Sequence, residues 1–377
     1  MKRLLFVTHE NLERTPVARA MMYDVAVGLR DEYAIGIISA SSEELLDRKD
    51  EMIEHFTFKR LIDKRISAID LAAFIIFFCR NISLVRNCDI AFARSYPSML
   101  VLVLLQSLHR RPIIFDTRGL FFHELFDSGA LKSRFFKPLL FMIERWLLRR
   151  ASKVICVTEG QAVYYRDQGC APKKLHVIYN CAQQAAGEVP RAKTEKKHVI
   201  GYVGSMGRWH MPEFLVEVLS EVQALHDDFE FHCITPEVKK AGEIFESITD
   251  KSIYSHPYRK HPIRFDLGIC LIEDSFSKSV CFPVKLCEYI TAQTPVLFST
   301  NVDVCNIIHQ SQNIGLPIGS NEPASAVAGK IVAFLNDAPP NVKRLPSTLT
   351  FESQLNQIKE VLALVVHEGP TPKRWAV

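Results

Sequence analysis

The stretch from Asp266 to Pro295, DLGICLIEDSFSKSVCFPVKLCEYITAQTP, constrains this chain more than any other. Its first apolar run, Leu267 to Ile272, is fit for a buried strand. The loop after this run is polar, with Ser275, Ser277, Lys278 and Ser279. Pro283 then opens a helical pattern whose apolar positions are Val284, Leu286, Cys287, Tyr289 and Ile290, and Pro295 stops it. Strand, loop and helix in that order set the loop at the carboxyl end of a parallel sheet, where open α/β sheets bind ligands. Lys285 and Glu288 are three apart and share one helix face near its start. Two readings fit that spacing. One is an exposed ion pair on an ordinary helix. In the other, the free N–H groups and positive dipole of the helix start hold a phosphate, Lys285 adds charge to the same anion, and Glu288 accepts hydrogen bonds from vicinal sugar hydroxyls.

The same alternation recurs along the chain. Strands are expected at Leu4 to Val7, Ala34 to Ser39, Ile90 to Phe92, Pro112 to Phe115, Lys153 to Val157 and Leu175 to Ile178. Helices are expected at Val17 to Leu29, Ile69 to Arg80, Ser98 to Leu108 and Thr158 to Gln168, with Thr15 capping the first and Pro16 at its first position. Ser42 to Asp63 is charged and reads as helix or loop. Such alternation predicts a doubly wound parallel sheet. The loop from Thr8 to Thr15 has no glycine, so it is not a dinucleotide fingerprint. It reads as an acceptor-side loop in which Arg14 and Arg19 are either contacts or plain surface arginines. From Cys181 to His198 the composition shifts to Gln, Ala, Gly, Pro, Lys and Glu, which marks a linker. At 377 residues the chain is long enough for two domains.

The second half restarts at Val199 to Val203 and runs into Gly204-Ser205-Met206-Gly207-Arg208-Trp209, with a helix expected over Pro212 to Leu225. This is either a tight strand-to-helix turn or a pyrophosphate cradle, in which Arg208 neutralises a leaving diphosphate. Strands at Phe229 to Ile234 and Ile253 to His256, a helix at Ala324 to Leu335, a proline-rich break from Ala338 to Pro346 and a last helix from Phe351 to Val366 complete the chain.

A second polar cluster, DTRGLFFHE from Asp116 to Glu124, lies just past a strand. Asp116 and Glu124 suit positioning of an acceptor hydroxyl, His123 a hydrogen bond to a donor sugar, and Arg118 an anionic group. An internal salt-bridge network fits the same residues.

Charge excludes several classes. Lys and Arg total 46 against 42 Asp and Glu, and no basic-aromatic module appears, so nucleic acid is not an expected partner. Ten cysteines without a Cys-x-x-Cys pair read as buried thiols of a reducing compartment. No apolar run reaches the roughly 18 residues of a membrane span. Phe135 to Leu148 is apolar on most sides and flanked by Lys132, Arg134, Lys137, Arg145, Arg149 and Arg150. It is either a core helix with a basic end or a segment that lies on an anionic membrane surface.

The order Pro283-x-Lys285-x-x-Glu288-Tyr289, followed by Thr294-Pro295-Val296, resembles the donor-site segment of retaining glycosyltransferases of the GT-B fold. Those are family 4-like enzymes of the bacterial surface-polysaccharide type. The Asp-x-Arg-Gly pattern at Asp116 resembles the same group. The resemblance implies an α/β protein with two Rossmann-like doubly wound domains facing across a cleft. They are an acceptor-side domain at 1–180, a linker at 181–198 and a nucleotide-sugar domain at 199–346, with a tail at 347–377 crossing back to the first. Glu288 would hold the ribose of the donor. Gly204, Ser205, Arg208, Ser279 and Lys285 would complete the donor site, with His123, Arg208 and Lys285 catalytic and Asp116, Arg118 and Glu124 on the acceptor side.

Two positions depart from the pattern. Val280 stands where many members carry a glutamate that touches the transferred sugar, and Trp209 and His210 follow the arginine where some carry a second lysine. The resemblance implies transfer from a nucleotide-diphosphate sugar to a glycan or lipid-linked acceptor, with no cofactor and no metal, since no Asp-x-Asp motif appears. It places the chain in the cytoplasm, at the inner face of the membrane. A hydrolysing nucleotide-sugar epimerase of the same fold and a non-catalytic nucleotide-sugar-binding partner subunit are the alternatives, and Val280 is the residue that bears on both.

Overall fold

The computed structural model describes residues 1–12, 18–41, 53–59, 68–181, 189–192, 194, 196–255, 263–337, 342 and 346–368. The chain forms two compact units, Met1–Tyr179 with Gln354–Val377, and Asn180–Ser353.

The first unit is built on a seven-stranded sheet in the order β3-β2-β1-β4-β5-β6-β7. Its strands are β1 (Lys2–Asn11), β2 (Tyr33–Ser41), β3 (Ile53–Lys59), β4 (Ile90–Arg94), β5 (Ile113–Asp116), β6 (Lys153–Cys156) and β7 (Leu175–Val177). All pairs are parallel. Every residue of β4, β5 and β6 is buried. Those strands show no polar alternation because both faces of a parallel sheet are covered.

Strand β3 corrects the expectation of helix or loop across Ser42 to Asp63. It pairs with β2 from Ile35 opposite Ile53 to Ser41 opposite Lys59. The charges around it suggested helix or loop, but its own residues, IEHFTFK, include the β-branched Ile53 and Thr57 and the aromatic Phe56 and Phe58. Phe58 is buried and stacks on Phe74 at 4.4 Å. As the edge of the sheet, β3 tolerates its charged residues. The expected first helix is a π-helical turn, Arg19–Tyr23, that runs into an α-helix at Asp24–Leu29. Arg14, Thr15 and Pro16 lie outside the described residues.

Six helices carry or brace the candidate residues: α1 (Phe121–Asp127), α2 (Lys137–Arg150), α3 (Glu159–Asp167), α4 (Pro212–Leu225), α5 (Val284–Thr291) and α6 (Phe351–Glu368). From Gln354 on, the chain of α6 packs within the first unit. Lys359 pairs with Glu32 at 2.6 Å, and Gln354 reaches the Met21 sulfur at 3.5 Å. Gly28 allows the approach, because a Cβ there would lie 2.8 Å from Leu355 Cδ2. No described helix is long and apolar enough to cross a membrane.

The second unit carries a six-stranded parallel sheet in the order β10-β9-β8-β11-β12-β13. The strands are β8 (His198–Val203), β9 (Phe229–Ile234), β10 (Lys251–Tyr254), β11 (Leu267–Cys270), β12 (Val296–Ser299) and β13 (Gly315–Ile318). Two glycines let aromatic rings lie flat on the sheet. A Cβ at Gly201 would fall 2.2 Å from the Phe265 ring, and one at Gly268 would fall 2.7 Å from the Tyr289 ring. Tyr289 thereby fixes α5 against the sheet. Its hydroxyl oxygen accepts from Val203 N at 2.9 Å and lies 3.2 Å from the Ile269 carbonyl. Tyr289→Phe leaves the buried Val203 N–H without a partner, so it should lower unfolding free energy by about 1–3 kcal/mol. Urea titration should show a lower midpoint at unchanged slope, and an unchanged midpoint would contradict this role.

Candidate functional site

Strand β8 has β9 on one side and β11 on the other, so the chain leaves β8 and β11 in opposite directions. Loops at such a reversal diverge and leave an opening at the carboxyl ends of the strands. The loop after β8 begins at Gly204, whose φ of +142° favours glycine. Space is tight as well, since a Cβ would meet Lys285 Nζ at 3.3 Å and the Tyr202 hydroxyl at 3.4 Å. The loop continues through the Arg208–His210 turn to Pro212 at the first position of α4.

The loops after β8 and β11 are fastened to each other. Glu273 N donates to the Trp209 carbonyl at 2.9 Å, and Arg208 Nη2 donates to Glu273 Oε1 at 2.9 Å. The Lys278 ammonium sits 4.9 Å from the Trp209 ring centre. Arg208 itself remains largely in solvent, with 68% of its side chain exposed.

Lys285 and Glu288 lie on the first turns of α5, and both are buried. The exposed-pair reading of these residues is therefore excluded. Lys285 Nζ is 4.3 Å from the Tyr202 ring centre and 3.4 Å from His210 Nδ1. Desolvation pulls its pKa down to about 8, against the opposing pull of the Cys270 thiol and the Glu288 carboxyl. Burial and then the Lys285 charge push His210 down to about 2, so His210 is neutral and accepts from the ammonium. This end of the unit thus offers a desolvated cation under a glycine turn, a second exposed cation and a buried carboxylate. That donor set suits a bound anion linked to a hydroxylated group.

The other residues of the expected donor site are engaged locally. The Ser205 carbonyl accepts from the Tyr202 hydroxyl. Ser279 Oγ donates to the Phe276 carbonyl at 3.0 Å. Val280 is 6% exposed, so its apolar side chain fills core where the family pattern has a carboxylate.

In the first unit the Asp116 to Glu124 cluster divides into two. Asp116 and Arg118 join a charged group at the carboxyl ends of β1, β4 and β5, bonded Nε to Oδ2 at 2.6 Å. The sequence reading missed the other two members, Glu10 and Arg94, bonded Nε to Oε2 at 2.6 Å. The available signal was a charge at the end of each apolar run. Burial raises Glu10, but Arg94, His9 and Arg118 outweigh it and hold the carboxyl below its ordinary value. Burial lowers Arg118 to about 10, against the pull of Asp116. Among the described residues, Arg94 Nη1 and Asp116 Oδ1 are buried without a hydrogen-bond partner. Ser95 at φ 68° and Arg118 at φ 62° hold left-handed backbone just past β4 and β5. Non-glycine residues in that conformation store strain, which concentrates at functional positions.

His123 belongs to a different set. Its Nε2 is 3.0 Å from the Tyr164 hydroxyl, which donates to Glu144 Oε2 at 2.6 Å. The tyrosine proton is thereby committed to Glu144, so His123 Nε2 carries its own proton and donates. Glu144 is fully buried on α2 and also accepts from the Tyr96 hydroxyl. Burial raises the Glu144 carboxyl and lowers His123. The Glu124 carboxylate packs on Gly119, where a Cβ would lie 3.2 Å from Oε1. Arg19 lies 5.7 Å from the Tyr23 ring centre.

Residues 70–181 match the family profile described as Glycosyl transferase 4-like domain. No curated protein matches the sequence. Among solved structures, sucrose-phosphate synthase from Thermosynechococcus elongatus superposes with a TM-score of 0.75 at 12% identity, covering 98% of this chain and 100% of that one. Alr3699/HepE of Anabaena, in complex with UDP-glucose, gives 0.68 at 14% identity, with 97% and 100% covered. A putative UDP-N-acetylglucosamine 2-epimerase from Listeria monocytogenes gives 0.59 at 12% identity, with 100% of each chain covered. Identities at this level speak for the fold alone. The chain has the two-domain α/β fold of the GT-B type, and part of its first unit matches the Glycosyl transferase 4-like domain.

Proposed function

We propose that this chain is a retaining glycosyltransferase that moves a sugar from a nucleotide-diphosphate sugar to a glycan or lipid-linked acceptor in bacterial surface-polysaccharide synthesis. The observation that carries the reading is Lys285, a nearly dry ammonium placed directly under Gly204 at the sheet reversal. A cation kept in such a place at a cost in stability fits an anion that binds there. The diphosphate of the donor rests at the Gly204 turn, Glu288 takes the ribose hydroxyls, and Ser205 and Ser279 belong to the same donor site. UDP-glucose, which Alr3699/HepE binds, supplies the donor chemistry proposed here.

In the proposed reaction the bond from the anomeric carbon to the diphosphate oxygen breaks. Arg208 and Lys285 neutralise the charge that develops on the departing oxygen. The acceptor hydroxyl attacks from the same face, and its proton passes to the leaving diphosphate. His123 bonds the donor sugar, and Asp116, Arg118 and Glu124 orient the acceptor. The side-chain cations take the part that a metal plays elsewhere, so the reaction runs without one. The likeness to the Listeria epimerase favours a second reading, hydrolytic epimerisation. Nucleotide released only when an acceptor is present supports transfer, whereas release without an acceptor supports epimerisation.

Glu288→Ala should weaken nucleotide-sugar affinity about ten- to hundredfold in calorimetry, while Glu124→Ala leaves it unchanged. Equal donor affinity in the Glu288 variant removes the ribose assignment. Arg208→Ala should lower turnover by about tenfold or more with little change in donor affinity. Lys285 titrates near 8 when folded, below its unfolded value near 10.4. Its charged form therefore costs stability below about pH 8, and that cost fades as pH rises toward the unfolded pKa. Lys285→Met should raise stability at pH 7 by about 1–3 kcal/mol and abolish diphosphate binding. Wild-type affinity for the donor should fall as pH rises through about 8. A destabilised Lys285→Met protein that still binds donor would refute both statements.

A further inference from the structure

Four large apolar side chains stand in solvent at the start of α2 and the turn before it. Phe135 is 85% exposed, Phe136 46%, Leu139 48% and Met142 55%. Their spacing puts them on one face over two turns, so they form a contiguous patch rather than scattered surface residues. The same face continues into Arg145 and Arg149, both exposed, and exposed Lys132, Lys137 and Arg150 complete a basic surround. Between Ser128 and Arg150 the sequence holds one acid, Glu144, and that residue is fully buried. The inward face carries Glu144, Leu147 and Leu148. The helix α2 thus buries one face and exposes an apolar, basic one.

We propose that this face of α2 is an interfacial anchor that docks the chain on an anionic phospholipid bilayer. The apolar side chains enter the boundary between headgroups and acyl chains, and the five basic groups meet the lipid phosphates. Charge decides between occupants. A second copy of the chain would bring five cations against five cations around the apolar patch, whereas an anionic surface neutralises them. With 14 residues, α2 is too short to span a bilayer and lies along it. Glu144 on the inward face bonds Tyr164, which meets His123, so one element faces both the lipid and the proposed donor-sugar residue. The anchor suits a lipid-linked acceptor but does not depend on the transferase reading.

The test is sedimentation of the full chain with vesicles, without donor or acceptor. Vesicles of phosphatidylcholine mixed with phosphatidylglycerol should carry the protein down, and pure phosphatidylcholine should not. Added salt should weaken binding. The combined Phe135→Ser, Leu139→Ser and Met142→Ser variant should lose at least about tenfold in partitioning while its melting temperature holds. Arg149→Gln with Arg150→Gln should lose about fivefold per charge, and this variant serves if the first fails to fold. Equal binding to both vesicle types, no binding to either, or undiminished binding by both variants overturns the proposal. So does a dimer that the apolar variant abolishes, since that outcome names a second copy as the partner. A chain that binds anionic vesicles yet transfers no sugar keeps the anchor and removes only the transferase reading.

Discussion

A protonated lysine in a nearly dry pocket is unfavourable unless something offsets its charge, and the second unit is arranged around that problem. Lys285 has a ring face at 4.3 Å and a neutral imidazole nitrogen at 3.4 Å. Both temper the charge, and neither cancels it. Glu288 and the surrounding thiols oppose the desolvation without overcoming it, so the ammonium stays more acidic than in water. Gly204 takes a left-handed backbone conformation close to Nζ, and the neutrality of His210 follows from its burial and then from the lysine beside it. The residual positive potential is a standing attraction for an anion at the carboxyl end of β8.

The position of that lysine depends on packing beneath it. Tyr289 is one turn along α5, and its ring rests where Gly268 leaves room. Its hydroxyl ties α5 to the carboxyl ends of β8 and β11. Phe265 uses Gly201 in the same way on the adjacent strand. Thr294 Oγ1 accepts from Phe265 N at 3.0 Å, linking the end of the helix region back to the strand entry. Two glycines in buried strands therefore serve helix placement, and α5 has little freedom to slide. A site that binds a rigid diphosphate needs that fixity, because a shift of an ångström removes a charge-assisted contact.

The parallel alternation and the Asp266 to Pro295 unit were legible because their residues obey one rule each. Buried strands such as LGIC, and IAFAR up to its final arginine, are short and apolar, and Pro283 and Pro295 flank α5. Strand β3 was not legible, because flanking charge outweighed a seven-residue β pattern. Strand β13, GLPI, gave no signal either: it is four residues long and contains a proline, tolerated at the edge of the sheet. The charged group of the first unit was half legible. Asp116 and Arg118 are close in sequence, but Glu10 and Arg94 reach them only through the order β1-β4-β5, which no local pattern encodes. The burial of Lys285 and Glu288 likewise came from tertiary packing, since an i,i+3 pair reads the same on either face of a helix.

The two units treat charge at their strand ends in opposite ways. In the first, Glu10 and Asp116 meet Arg94 and Arg118 two against two, bonded at 2.6 Å within each pair. Among the described residues such a group is close to neutral, and what it leaves over there is polarity: Arg94 Nη1 as a donor and Asp116 Oδ1 as an acceptor. A neutral hydroxyl is the ligand that uses one of each. In the second unit, the buried Lys285 meets a ring face and an imidazole that is held neutral, rather than a carboxylate at hydrogen-bond distance. A buried cation neutralised so incompletely calls for an anion. A sugar transfer from a diphosphate donor to an alcohol needs one surface of each kind. Exchanging the two patterns would leave the diphosphate without a counter-charge and the hydroxyl facing an ion, so the distribution of charge, rather than the shared fold, argues for the proposed division of labour.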